Sequence, residues 1–118
     1  MNYEAPHAVS VDVQAGSRPD VTIIKVSGPL TIRNFFEFQD LARSHKSPVT
    51  IIDLSEVPYM DSAALGSLLG LHVSCGKDKR KYALVNVSDR LKTMFVVCGV
   101  QDVLVVYGTR EQAEAALI

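Results

Sequence analysis

The chain has 118 residues, 47% of them hydrophobic, with a mean hydropathy of +0.16, which suits one domain with a substantial core and is too short for two. The formal net charge is −1, with acids and bases interspersed, so nothing in the charge pattern points to nucleic acid. No apolar run reaches the length needed to cross a bilayer.

Residues 1–16 lack a charged region followed by an apolar one, so no secretion signal is read and a cytoplasmic location is expected. Cys75 and Cys98 are too few and too far apart for a disulfide framework, and are expected to be reduced core thiols. Residues 1–8 read as loose and polar, and one domain is expected over residues 9–118.

Val9 to Val13 alternates strictly, as a half-exposed strand does. Ala15 to Asp20 is a turn cluster, and Val21 to Val26 a second strand close enough to form an antiparallel hairpin. From Thr31 to Lys46, Ile32, Phe35, Phe36, Phe38, Leu41 and Ala42 recur near helical spacing, which predicts an amphipathic helix ending before Ser47-Pro48. Val49 to Leu54 is a β-branched apolar run, the pattern of a buried strand, and a small-residue helix follows over about Ser62 to Gly76. Gly76 to Lys81 is a basic stretch with an acid in its middle, read as a solvated turn. Tyr82 to Val87 predicts a strand, and Ser88 the cap of a helix running to about Cys98, with Leu91, Met94, Phe95 and Cys98 on one face and Gly99 closing it. Val103 to Tyr107 predicts a last strand, and Thr109 the cap of a terminal helix through Leu117. The order β-β-α-β-α-β-α-β-α gives the fold class as α/β, a mostly parallel sheet with an antiparallel edge strand and four helices.

Catalytic signals are weak. Gly66 to Gly70 lies inside a helix and cannot cradle a phosphate, and Ser62 lacks the glycines of a hydrolase elbow. His7, His45 and His72 share no metal-ligand spacing with each other or with the cysteines. His72 reads as a partly exposed or hydrogen-bonded histidine rather than a base. No cofactor or metal is expected.

Two features remain. Asp61 and Ser62 stand at the first turn of the central helix, where unpaired N–H groups and the helix dipole favour an oxygen acceptor or a phosphate. Ser62, Gly66 and Gly70 recur every four residues along one face, with Leu65, Leu68, Leu71 and Cys75 opposite and facing the core. Two interior glycines cost a helix about 1 kcal/mol each relative to alanine, so some surface is expected to approach closely there. Spacing alone leaves open whether that surface is the protein's own neighbouring helix or a partner.

The residues Asp53-Leu54-Ser55, Val57, Met60-Asp61-Ser62 and Leu65-Gly66 together resemble the signature of STAS domains, in particular of bacterial anti-sigma factor antagonists. Val26 to Leu30, Leu84 to Leu91 and Cys98 to Val100 with Val105 extend the likeness over nearly the whole chain. Ala63, Ala64 and Thr31 stand where the family commonly has Ser or Thr, Gly and Asp.

The resemblance implies a non-enzymatic regulator. It would bind an anti-sigma factor that is also a serine kinase, release a sigma factor, and be switched by phosphorylation of Ser62 and by a phosphoserine phosphatase. Asp61, Ser62, Gly66 and Gly70 would carry the partner contacts. The alternative is a STAS accessory subunit of a membrane (lipid) transporter, in which Ser62 serves as a helix cap without a phosphoserine switch. A nucleotide-binding domain is a third reading, against which the missing phosphate loop argues.

Overall fold

The computed structural model describes residues 10–117, so the expected loose N-terminus and the start of the first strand at Val9 lie outside the described residues. The elements run β1 (Ser10–Ala15), β2 (Val21–Ser27), α1 (Phe35–Ser44), β3 (Val49–Glu56), α2 (Ser62–Asp78), β4 (Lys81–Val85), α3 (Asp89–Val97), β5 (Val106–Tyr107) and α4 (Arg110–Leu117). They form one five-stranded sheet in the order β1-β2-β3-β4-β5, antiparallel between β1 and β2 and parallel elsewhere. This is the expected α/β architecture with an antiparallel edge.

Strand β3 lies at the centre and its first six residues are buried. Successive side chains of a strand point to opposite faces. Ile52 and Leu54 therefore join one core with Phe38 of α1, Leu65 and Leu68 of α2, and Leu91 and Phe95 of α3. Val49 and Ile51 face the other way, into a smaller core closed by Ala113 of α4. Full burial of such aliphatic side chains is worth about 1.5–3 kcal/mol each, which makes β3 the thermodynamic centre of the sheet.

Several element boundaries depart from the sequence expectation. Helix α1 begins at Phe35, not Thr31, because Asn34 is turned backwards: its Oδ1 accepts the Thr31 N–H at 2.8 Å and its Nδ2 donates to the Pro29 carbonyl at 2.9 Å. Within the expected apolar stripe only Phe38 is fully buried, while Ile32 and Phe36 are 62% and 58% exposed. Strand β4 stops at Val85 because Asn86 takes a left-handed φ of +55°. The apolar run from Val103 is strand only at Val106 and Tyr107. The N–H groups of Val103 and Leu104 both return to the Val100 carbonyl, which keeps the chain in a turn and buries Leu104. Cys75 is buried and Cys98 exposed, both free, so the expectation of two core thiols fails for Cys98, which ends α3 rather than packing under it.

One charge enters this core. Asp53, in the strand position after Ile51 and Ile52, is 4% exposed and forms a two-pronged ion pair with Arg110 of α4, its Oδ2 lying 2.8 Å from Nη2 and 2.9 Å from Nε. Its Oδ1 accepts the Ser55 N–H at 2.9 Å and Asn86 Nδ2 at 3.3 Å. Arg110 Nη1 donates onward to Gln14 Oε1 of β1 at 3.0 Å. A single carboxylate thus ties α4, the turn after β4 and the edge strand to the central strand.

Burial alone would push the Asp53 carboxyl up, but the hydrogen bonds from Ser55, Arg110 and Asn86 outweigh it and hold the pKa below the ordinary carboxylate value. A carboxyl whose pKa is depressed on folding stabilises the fold fully above its unfolded value of about 3.9, and that contribution is lost as pH falls below it. Asp53→Asn is expected to lower the unfolding free energy by about 3 kcal/mol at neutral pH, since it strands Arg110. It should also flatten the loss of stability below about pH 4. Urea titrations of both proteins across pH 3–7 check this; a loss under about 1 kcal/mol would mean the pair is not anchoring α4.

Candidate functional site at the start of helix α2

The loops leaving β2 and β3 run side by side and set the start of α2. Gly28 donates to the Glu56 carbonyl at 2.9 Å, Leu30 to Tyr59 at 3.1 Å, and Asp61 back to Leu30 at 3.1 Å, with Leu30 and Met60 forming a parallel bridge. Gly28 adopts φ +100°, a conformation strained for any side-chain-bearing L-residue, and this turns the chain into the pairing.

Asp61 is the N-cap of α2. Its backbone is extended, its carbonyl accepts the Leu65 N–H at 3.0 Å, and its Oδ1 accepts the Ala64 N–H at 3.0 Å. Its Oδ2 accepts the Ile32 N–H at 2.8 Å. One carboxylate therefore caps the helix and pins the β2–α1 turn against it.

Ser62 is the first helical residue and is exposed. No described residue hydrogen-bonds its hydroxyl. The use of Ser62 as the cap, which the sequence left open, is thus excluded by Asp61 taking that position. The backbone N–H groups of Ser62 and Ala63 belong to the first turn and have no intrahelical acceptor, and the positive end of the helix dipole lies at the same point.

The small-residue stripe faces outward. Ser62, Gly66 and Gly70 are exposed, and a Cβ added at either glycine meets nothing within 4 Å, so the approaching surface is not a neighbouring helix of the described chain. Leu65, Leu68 and Cys75 occupy the buried side, with Leu71 half-buried at its edge. Val73, 54% exposed, continues the outward face one turn beyond Gly70. Ile32, held against Asp61 through its N–H, and Phe36, stacked on Phe35 at 4.3 Å between ring centroids, add exposed apolar surface from the stripe read as one amphipathic helix. Ile32 lies before the start of α1, and Phe36 sits on a face of that helix turned away from the buried Phe38.

The remaining candidates stand apart. His72 is half-buried and bonded through Nδ1 to the Tyr82 hydroxyl at 2.8 Å, the hydrogen-bonded histidine that was expected. Its partner also accepts the Val105 N–H at 3.1 Å, and burial pushes the Tyr82 pKa up. His45 is exposed and bonded to the Leu41 carbonyl of its own helix. His7 lies outside the described residues. Among the described residues no three His, Cys, Asp or Glu side chains gather as a metal site, and no helix is long and apolar enough to cross a membrane.

Residues 12–113 match the STAS domain family. The chain belongs to that family. The anti-sigma-B factor antagonist of Listeria monocytogenes is 40% identical over 53 residues, a match covering 45% of this chain and 46% of that relative, about half the length of each. An anti-sigma factor antagonist from Mycobacterium paratuberculosis superposes with a TM-score of 0.83 at 20% identity, covering 98% of both chains. The Bacillus cell fate determinant SpoIIAA in its phosphorylated form superposes with a TM-score of 0.70 at 16% identity, covering 92% of this chain and 100% of that one. These likenesses establish the STAS fold.

The division of labour between Asp61 and Ser62 has a thermodynamic signature. Asp61→Ala should lose about 1 kcal/mol or more of stability, because it removes the cap together with the anchor of Ile32. Ser62→Ala should stay within about 0.5 kcal/mol of the parent. Thermal unfolding of the two variants checks this, and equal losses would return the capping role to Ser62.

Proposed function

We propose that this STAS domain is an anti-sigma factor antagonist, binding an anti-sigma factor that is also a serine kinase and switched by phosphorylation of Ser62. The observation that carries the reading is the exposed, unbonded Ser62 hydroxyl on a helix whose cap is supplied by Asp61. A kinase can reach such a hydroxyl without breaking a hydrogen bond or unwinding a turn.

The surroundings support a docking face. Gly66 and Gly70 leave the α2 backbone bare for close approach, with Val73 on the same helix and Ile32, tied to Asp61, as exposed apolar groups. The named relatives are antagonists of anti-sigma factors, and one structural neighbour occurs in a phosphorylated form. The role is regulatory; sigma-factor-dependent transcription is the process it controls, and a phosphoserine phosphatase resets the switch. In this reading Asp61, Ser62, Gly66 and Gly70 all contribute to the partner contact, and residues 9–118 form the STAS domain.

Phosphorylation adds about −1.5 to −2 charges at neutral pH. On Ser62 the free N–H groups of the first turn and the helix dipole attract that charge, while Asp61 repels it. The fold survives, and the partner surface gains negative charge.

The direct test is capture from lysate of the native host with immobilised wild-type and Ser62→Glu protein. A small histidine-kinase-like ATPase retained by wild type and absent with Ser62→Glu is the expected result. Its retention at equal affinity by both defeats the switch, and transporter subunits retained by both would favour the accessory-subunit reading. A second variant separates docking from folding. Gly66→Gln should raise helix stability by up to about 1 kcal/mol, since its Cβ meets open space. It should nevertheless weaken kinase binding at least about tenfold by blocking close approach, as measured by calorimetry with the purified partner.

A further inference from the structure

A second feature adjoins the glycine stripe, sharing Gly70 with it but not Ser62 or Gly66. Residues from the C-terminal halves of α1 and α2, with Arg80 beyond α2, line a cavity of about 150 Å³. One wall is apolar, made by Phe38, Ala42 and Leu71, and the mouth carries Arg43, Lys46 and Arg80. Three cations thus line a cleft in which Asp78 pairs with two of them, 3.8 Å from Lys46 Nζ and 3.4 Å from Arg80 Nη2. One carboxylate is shared by two of these cations, and Arg43 has no ion-pair partner among the described residues.

Arg80 belongs to the basic stretch read from the sequence as a solvated turn, and it departs from that reading. The αL turn at Lys79, with φ +56°, folds it inward, so its side chain is only 12% exposed. Its Nε and Nη1 are buried with no partner among the described residues. Ser67, 7% exposed and lining the same cavity, has a buried hydroxyl that is also unpartnered. Serines inside helices usually return that hydroxyl to the carbonyl four residues back. Buried donors left unmade are costly and uncommon, so two side chains presenting them to one cavity call for an acceptor there.

We propose that the α1–α2 cleft is a binding site for a small organic anion. Its carboxylate or phosphate accepts from Arg80 and Ser67 under the field of Arg43 and Lys46, and its body rests on the apolar wall. Guanidinium groups pair with both acid types through charge-assisted hydrogen bonds. A dry cavity of about 150 Å³ holds one benzene-sized ring, so the occupant carries a single ring or short chain and is smaller than a nucleotide. The site takes no lining from Ser62, though it shares Gly70 with the docking face proposed above.

The experiment is a ¹H–¹⁵N correlation titration of the full chain with phenyl phosphate, benzoate, inorganic phosphate and phenol, each to about 10 mM, the range suited to fragment-sized ligands. Saturable shifts at the amides of Ser67, Leu71 and Arg80 with phenyl phosphate or benzoate are expected, and the stronger of the two identifies the acid preferred. Phenol and inorganic phosphate should bind at least about tenfold more weakly, because each offers only half of the recognition.

Arg80→Met keeps the side chain's bulk and should weaken the organic anion about tenfold or more. Ser67→Ala, a smaller change, should weaken it measurably while leaving the spectrum otherwise intact. Absence of saturable shifts, shifts elsewhere on the surface, inorganic phosphate binding as well as phenyl phosphate, or affinities untouched by both variants would each overturn the proposal.

Discussion

The constraint on which this molecule depends is that β3 is buried on both faces. A strand so placed must be apolar on alternate residues in both directions, and Val49, Ile51, Ile52 and Leu54 meet that demand. Helices must then cover both sides of the sheet, which is why α1, α2 and α3 pack on one face and α4 closes the other. Asp53 is tolerated in this setting only because four donor groups converge on it. The packing of α4, the shortest helix, is accordingly reinforced by charge. Ala113 is its only fully buried side chain.

From β3 the same rigidity passes to the site. The strand ends at Glu56, the Gly28 turn and the Leu30–Met60 bridge lock the next residues to the neighbouring loop, and Asp61 spends both carboxylate oxygens holding the result. Because Asp61 satisfies the helix and the turn at once, Ser62 is released from structural duty. A serine with a free hydroxyl beside free backbone N–H groups is a better modification site than a capping serine, whose phosphorylation would break the bond that starts the helix.

The alternating pattern of periods two and 3.6 made the element order, the sheet class and most caps legible: Ser88 accepts from Leu91 and Thr109 from Gln112 as the sequence suggested. Positions set by tertiary contacts were not. Asn34 shortened α1 by bonding backwards, and the Val103–Tyr107 run lost its first residues to a turn that no β-propensity could reveal. At the site, Asp61 and Ser62 were both visible, yet which of them caps was decided by a geometry one residue finer than periodicity can resolve. Asp53 read as part of a motif, while its partner Arg110 lies 57 residues away with no local signal. The cleft cations were hidden for a related reason: Arg43 and Lys46 looked like a helix end and Arg80 like a turn, and only packing brings them to one mouth.

The exposed glycines bear on how a phosphate could switch partners without refolding the domain. Two glycines with open space beyond their Cα atoms make no close contact inside the described chain for the roughly 2 kcal/mol of helix propensity they forgo, and in the proposed docking a partner surface supplies the compensation. A phosphate at Ser62 would meet Asp61 with a repulsion of about 1 kcal/mol per unit charge pair at 4 Å in water, set against a comparable gain from the helix N-terminus. In the free domain these nearly cancel. Once a partner excludes water, the added charge loses its hydration, a penalty of several kcal/mol that the cancelling terms do not offset. The cost then appears at the interface and not in the fold. A charge placed one and two turns from bare backbone is thus read only when something docks there, which is the property a partner switch requires.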